Sequence, residues 1–212
     1  MLVVLSIVLV LSTIMITGQS TFNRSLLLSD TAYTIAFSIR EAQTLGLSSR
    51  VFSSVQNAGY GIRFDAYTPS SYIQFSDIYP ASPGNSQSGI CPGHAGIAGS
   101  PDARPGNCIY DPYYPPTVTV DELVRTYTLN RGFYVSAFCG TSAQGQKCST
   151  TDFDTLDIMF MRPSTNAVII GKRSSTLTQL SDAYIRLKSP DGLSERCIFV
   201  TKVGQVAVNA CP

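Results

Sequence analysis

The feature that most restricts what this chain can fold into is its uncharged start. From Met1 to Thr17, 13 of 17 residues are apolar, and no charged residue appears before Arg24. As a helix this run spans about 26 Å, slightly short of a ~30 Å hydrocarbon core. A cleaved signal peptide carries a basic n-region and a small-residue cleavage site. Here no Lys or Arg precedes the run, and the residues before Gln19 read "IMITG". A lone transmembrane anchor would be oriented by a basic cytoplasmic flank, and none is present. The expectation is a segment that is kept.

After Gly18 the chain does not break into a linker. It continues as "STFNRSLLLSDTAYTIAFSIREAQTLGLSSR", where Leu28, Ala32, Ile35, Ile39 and Ala42 recur every three or four residues and predict one apolar helix face. Arg40 and Glu41 fall on another face, and the stretch has no proline. Together the two halves predict a rod of roughly 45 to 50 residues, about 70 Å long, ending near Gly46 to Arg50. The first half is apolar all round, which excludes a coiled-coil seam. Leu2, Val3, Val4, Leu5, Ile7, Val8, Leu9, Val10, Leu11, Ile14, Met15 and Ile16 are its assembly residues. Gly18, followed by Gln19, Ser20 and Thr21, is its weakest helical point and the candidate for local melting. Asn23 opens an "NRS" glycosylation sequon that falls on the rod and reads as chance.

The six cysteines, Cys91, Cys108, Cys139, Cys148, Cys197 and Cys211, all follow the rod, and none forms a CxxC pair. An even number in that arrangement favours disulfides and an oxidising compartment over metal. Neighbours in sequence are the expected partners. Cys139 and Cys148 bracket the turn "GTSAQGQK". Cys197 and Cys211 flank a hairpin turning at Val203-Gly204, whose register brings residue 197 opposite about 210. Cys91 and Cys108 would then close a long Gly/Pro loop. Charged residues make up 14% of the chain, against roughly 25% in an average soluble domain. With 15 basic and 14 acidic residues the net charge is +1, which gives no electrostatic case for a nucleic-acid partner.

Beyond the rod, alternating segments predict about nine short antiparallel strands. "GYGIRFDAY" and "SYIQFSDIY" form a pair. "TVTVDELVRTYTL" and "GFYVSAFC" are two long strands with a turn at Asn130-Arg131-Gly132. "LDIMFMRP" and "AVIIGK" turn at Ser164-Thr165-Asn166. "AYIRLKSPDG", "CIFVTKV" and "QVAVN" close the chain. Between them, 80–116 holds eight prolines and the first cysteine pair, a loop both exposed and stapled. The division is a membrane and assembly helix over 1–52 and a globular β head over 53–212. The expected fold class is α+β, one long N-terminal helix packed on an antiparallel β-sheet head.

"LVVLSIVLVLSTIMI" followed by "AYTIAFSIREAQTLGLSSRV" resembles the N-terminal helix of type IV pilins and pseudopilins. "YGIRFD", "SYIQFSD", "LDIMFMRP", "AYIRLKSPDG" and "CIFVTKVGQVAV" are similar to the β head of minor pseudopilins. In that family a basic leader, a Gly and a glutamate stand ahead of such a run, and this sequence starts at Met1, where that piece would end. The resemblance implies a pilin-like fold and a subunit held in the membrane after export. It implies polymerisation into an extracellular filament through the apolar helix, with pilus or secretion assembly machinery as partner. Adhesion through the head is the associated role. A minor pseudopilin of a secretion or pilus system is the alternative, and a membrane-anchored binding domain that never polymerises is an alternative of another class.

Little points to catalysis. The one histidine, His94, sits in the irregular loop, whereas a triad needs an ordered base. No GxSxG, HExxH or P-loop pattern occurs, and no enzyme activity or cofactor is expected. "TDFDTLD" places Asp152, Asp154 and Asp157 within six residues; carboxylates can hold calcium, but the Gly turn and closing Glu of an EF-hand are missing, so these are weak metal candidates. "CIYDPYYPP" puts Tyr110, Tyr113 and Tyr114 in the loop, where rigid aromatic rings are good surface contacts.

Overall fold

The computed structural model describes residues 2–48, 51–52, 55–56, 58–78, 106–112 and 122–212. The chain opens with a single helix, α1 (Leu2–Leu47), which passes through Gly18 with helical backbone. Its second half packs on strands and its described first half does not. Leu28, Ala32, Ile35, Ile39 and Ala42 are all fully buried, as their spacing requires. Small residues on that face let the helix come close: a Cβ on Gly46 would lie 2.2 Å from the Phe160 carbonyl oxygen. The helix stops where the Ser48 N–H donates to the Thr44 carbonyl at 3.1 Å and its hydroxyl donates to the Leu45 carbonyl at 2.6 Å.

Thirteen strands follow among the described residues. β1 (Val51–Phe52) and β2 (Val55–Gln56) form a small pair of their own. The others are β3 (Gly59–Asp65), β4 (Ser71–Asp77), β5 (Leu123–Thr128), β6 (Tyr134–Ser142), β7 (Gly145–Cys148), β8 (Thr155–Phe160), β9 (Ala167–Arg173), β10 (Thr176–Leu180), β11 (Asp182–Lys188), β12 (Glu195–Thr201) and β13 (Val206–Asn209). They divide into a six-stranded sheet, β10-β9-β8-β3-β4-β5, and a five-stranded sheet, β13-β12-β11-β6-β7. Every recorded pairing is antiparallel.

This corrects the expected α+β, pilin-like layout of a long helix on an antiparallel sheet. The molecule is mostly β, built on two sheets, and α1 packs against β3 and β8 of one and β11, β12 and β13 of the other. The physical reason lies at the Asn130-Arg131-Gly132 turn. Arg131 and Gly132 take positive φ, 60° and 74°, so the chain reverses there as expected. The flanks are then pulled apart: β5 pairs with β4 while β6 pairs with β11. Alternation marks strands; it carries no label saying which sheet each joins.

One core lies between α1 and the inner faces of both sheets and gathers Ile35 and Ile39 with Ile62, Phe64, Ile158, Ile185 and Ile198 in a single cluster. A second, smaller cluster joins Cys108, Ile109, Met159, Met161, Val168 and Ile170. Alternate residues of β8 point to opposite faces, so Met159 belongs to this second cluster while Ile158 and Phe160 belong to the first. Residues 106–112 therefore cover the outer face of the six-stranded sheet.

Candidate functional site

The first half of α1 presents an unusual surface. Val3, Val4, Leu5, Ile7, Val8, Leu9, Val10 and Leu11 are each between 54% and 71% exposed, on every side of the helix. Its hydroxyls turn back onto the helix itself: Ser6 Oγ donates to the Val3 carbonyl at 2.8 Å and Thr13 Oγ1 to the Leu9 carbonyl at 2.7 Å. These groups therefore place little unmet polarity on the outside. The side chains of Leu2, Ile14, Met15 and Ile16 lie outside the described residues. Among the described residues, no helix is long and apolar enough to cross a membrane.

A different chemistry lies under 106–112. Asp77, at the end of β4, accepts the backbone N–H of Asn107 on Oδ1 and of Cys108 on Oδ2, both at 2.8 Å. Gly106 must be a glycine for that approach: its φ is +103°, and a Cβ would lie 2.3 Å from the Asp77 carboxyl. Glu122, just before β5, accepts from Ile78 N and Asp111 N at 2.8 Å. Asp111 accepts the Asn107 side-chain amide at 2.5 Å. From β3, Arg63 donates to the Tyr110 carbonyl at 3.1 Å and to Asp157 Oδ2 at 3.4 Å.

Burial, reinforced by the neighbouring Glu122 charge, holds the Asp77 carboxyl well above its ordinary range. Burial also raises Asp111 and pushes Asp157 up to about 6, partly countered by Arg63. The arrangement is a clamp that fixes one strip of chain to a sheet. Two of its carboxylates, Asp77 and Glu122, spend their lone pairs on backbone N–H groups, as anion-to-amide contacts do. Sequence reading missed Asp77, Glu122 and Arg63. The one available signal was an acid at the sheet end of "SYIQFSD", where alternation puts it on a face that must be covered.

The sequence-predicted sites fare unevenly. Cys139–Cys148 and Cys197–Cys211 are disulfides. Their strands explain both: residue 139 pairs with 148 in the β6–β7 register, and 197 pairs with 209 in β12–β13. Cys108 is disulfide-bonded, and Cys91 lies outside the described residues. Asp152, Asp154 and Asp157 do not converge. Asp152 binds the Cys148 N–H, Thr151 and Lys147. Asp154 serves the ladder through its backbone, bonding Lys172 and Ala66. Asp157 is buried beneath Arg63. Among the described residues, no three His, Cys, Asp or Glu side chains are placed to hold a metal.

Tyr110 is half-buried. Its ring lies 5.7 Å from that of Phe75, with the Arg63 guanidinium 5.4 Å from its centroid. Tyr113, Tyr114, His94 and most of the 80–116 loop lie outside the described residues. No family model, curated protein or solved structure matches this chain. The two disulfides are compatible with an extracellular or periplasmic protein.

Proposed function

We propose that this protein is a structural subunit of an extracellular filament of the type IV pilus kind, polymerising through the apolar first half of α1 and presenting its β head outward. The observation that carries this is the exposure of eight apolar side chains around Val3 to Leu11. A soluble monomer rarely leaves so large a contiguous apolar surface in water. At 1.5–3 kcal/mol for a fully buried side chain, covering them would contribute on the order of 10 kcal/mol. Association itself costs about 4–15 kcal/mol. One neighbour is then marginal and several are favourable, which favours a polymer over a dimer. The disulfides fit a head that must keep its shape outside the cell.

Negative-stain imaging of the full chain and of a chain lacking residues 1–20 tests the reading. Fibres from the first and dispersed particles from the second are expected. Monodisperse full-length particles in detergent-free buffer would overturn it and favour a binding domain that does not polymerise.

A further inference from the structure

Between α1 and the edge strand β13 runs a groove of about 650 Å³, walled by Tyr33, Thr34, Phe37 and Arg40 on the helix and by Val206 and Val208 on the strand. β13 ends the five-stranded sheet. Arg40 Nη2 donates to the Val206 carbonyl at 2.9 Å, satisfying one edge acceptor at the groove's end. Tyr33 and Phe37 are 62% and 70% exposed. They stand one turn apart on the same helix face, and neither joins the core that takes Leu28, Ile35 and Ile39.

We propose that this groove seats residues 3–11 of α1 from a second copy of the chain. The inference rests on the filament reading and names the contact through which it would build. The two surfaces match in length: nine helical residues span about 13 Å, and the helix wall from Asp30 to Arg40 about 15 Å. The groove is lined mainly by Tyr33, Phe37, Val206 and Val208, with the charged Asp30 and Arg40 a helical stretch apart along its wall, and the one polar residue within 3–11 is Ser6, whose hydroxyl is already bonded to Val3. With the eight side chains spread around the helix, one side brings about half of them, on the order of 400 Å² at roughly 100 Å² each, or half the share per partner of a standard interface, so that one such contact is weak and several copies must make it together. One side of the apolar helix enters the groove, and its other sides remain for further copies.

The two surfaces cannot meet within one chain. Residues 7 and 35 are about 40 Å apart along one continuous helix. Contact must therefore join unlike patches of different copies, with their rods about that far out of step. An interface between unlike patches repeats head to tail and grows an open filament unless the rotation closes a ring.

The test uses full-length chains carrying Ser6→Cys or Thr34→Cys, both at exposed positions, mixed under assembly conditions and oxidised. A disulfide-linked dimer between positions 6 and 34 is expected, with at least tenfold less product when Thr34→Cys is replaced by Tyr67→Cys, which is 79% exposed in the β3–β4 turn. Phe37→Asp should cut the assembled fraction at least tenfold while leaving the thermal midpoint of the head unchanged. If fibres form, but position 6 links only to position 6 and Phe37→Asp assembles normally, the groove is not the contact and the filament reading stands. If no fibres form from the unmodified chain, both readings fall.

Discussion

Arg63 shows how much can hang on one side chain. It lies on β3, where alternation turns it toward the outer face of the six-stranded sheet, and it is the cation that reaches both the Tyr110 carbonyl and the buried Asp157. One Asp157 oxygen, Oδ1, has no hydrogen-bond partner among the described residues, so the carboxylate depends on Arg63 for its charge balance. Removing one partner of a buried pair is far more harmful than replacing both. Arg63→Ala is expected to cost about 3 kcal/mol at pH 8, where Asp157 is ionised. The penalty should shrink markedly at pH 5, because protonation of Asp157, held near pH 6 by burial, removes the stranded charge. Urea denaturation of both forms at the two pH values reads this directly; an equal loss at pH 5 and pH 8 would mean that packing, not charge, ties Arg63 to the clamp. None of this could be read from "GIRFD" beforehand. An Arg in an alternating strand looks like a solvated residue until 106–112 is seen to lie over it. The buried stripe of α1 was open to reading, because helical spacing is a property of the stretch itself.

At the scale of elements, local signals succeed and assignments to sheets fail. The β12–β13 hairpin has its turn at Gly204, with φ +82°, where the sequence places it, and the register that pairs 197 with 209 leaves Cys211 within reach of Cys197. The same holds for β3–β4 and β8–β9. β10, "TLTQL", was missed: it is a short strand of mixed polarity that, among the described residues, pairs with β9 at the end of its sheet, and such strands carry weak alternation. The split between two sheets was hidden because it depends on long-range packing around α1. The Cys197–Cys211 bridge matters to that packing, since β13 lines one side of the groove and accepts from Arg40. The bridge has a sequence separation of 14, for which loop-closure entropy gives about 3 kcal/mol. Replacing both cysteines by serine should lower the thermal midpoint accordingly. Amide exchange should quicken first at Val206–Asn209 and leave β8 protected. Uniform loss of protection across both sheets would show instead that the hairpin is part of the global folding unit.

Across the whole molecule, charge is nearly balanced, with 15 basic against 14 acidic residues. General repulsion therefore contributes little to stability near neutrality, and individual carboxylates set the pH dependence. They fall into two opposed groups. Asp77, Asp111 and Asp157 are raised by burial, so the folded state binds their protons more tightly than the unfolded chain does. Their contribution is complete below the unfolded value of 3.8 and is lost as pH climbs, for Asp157 through about 6. Asp152, held by the Cys148 N–H, and Asp191, held by the Ser189 hydroxyl, are lowered to about 2. Their contribution is present above 3.8 and is lost as pH falls toward 2. Both of these are solvent-accessible, and screening weakens their limb. The two limbs place maximal stability near the unfolded value of 3.8, about pH 4, with a steeper decline on the alkaline side. For Asp157 alone the shift corresponds to about 3 kcal/mol. Asp157→Asn keeps the shape and removes the titration, so it should flatten the decline between pH 4 and 8 and leave the acid limb in place. Denaturation midpoints taken at unit steps from pH 2 to pH 8 decide the matter: a wild-type optimum at pH 7 or above, or an Asp157→Asn curve parallel to wild type, would mean that these carboxylates ionise freely and that the clamp over the six-stranded sheet is not closed in solution.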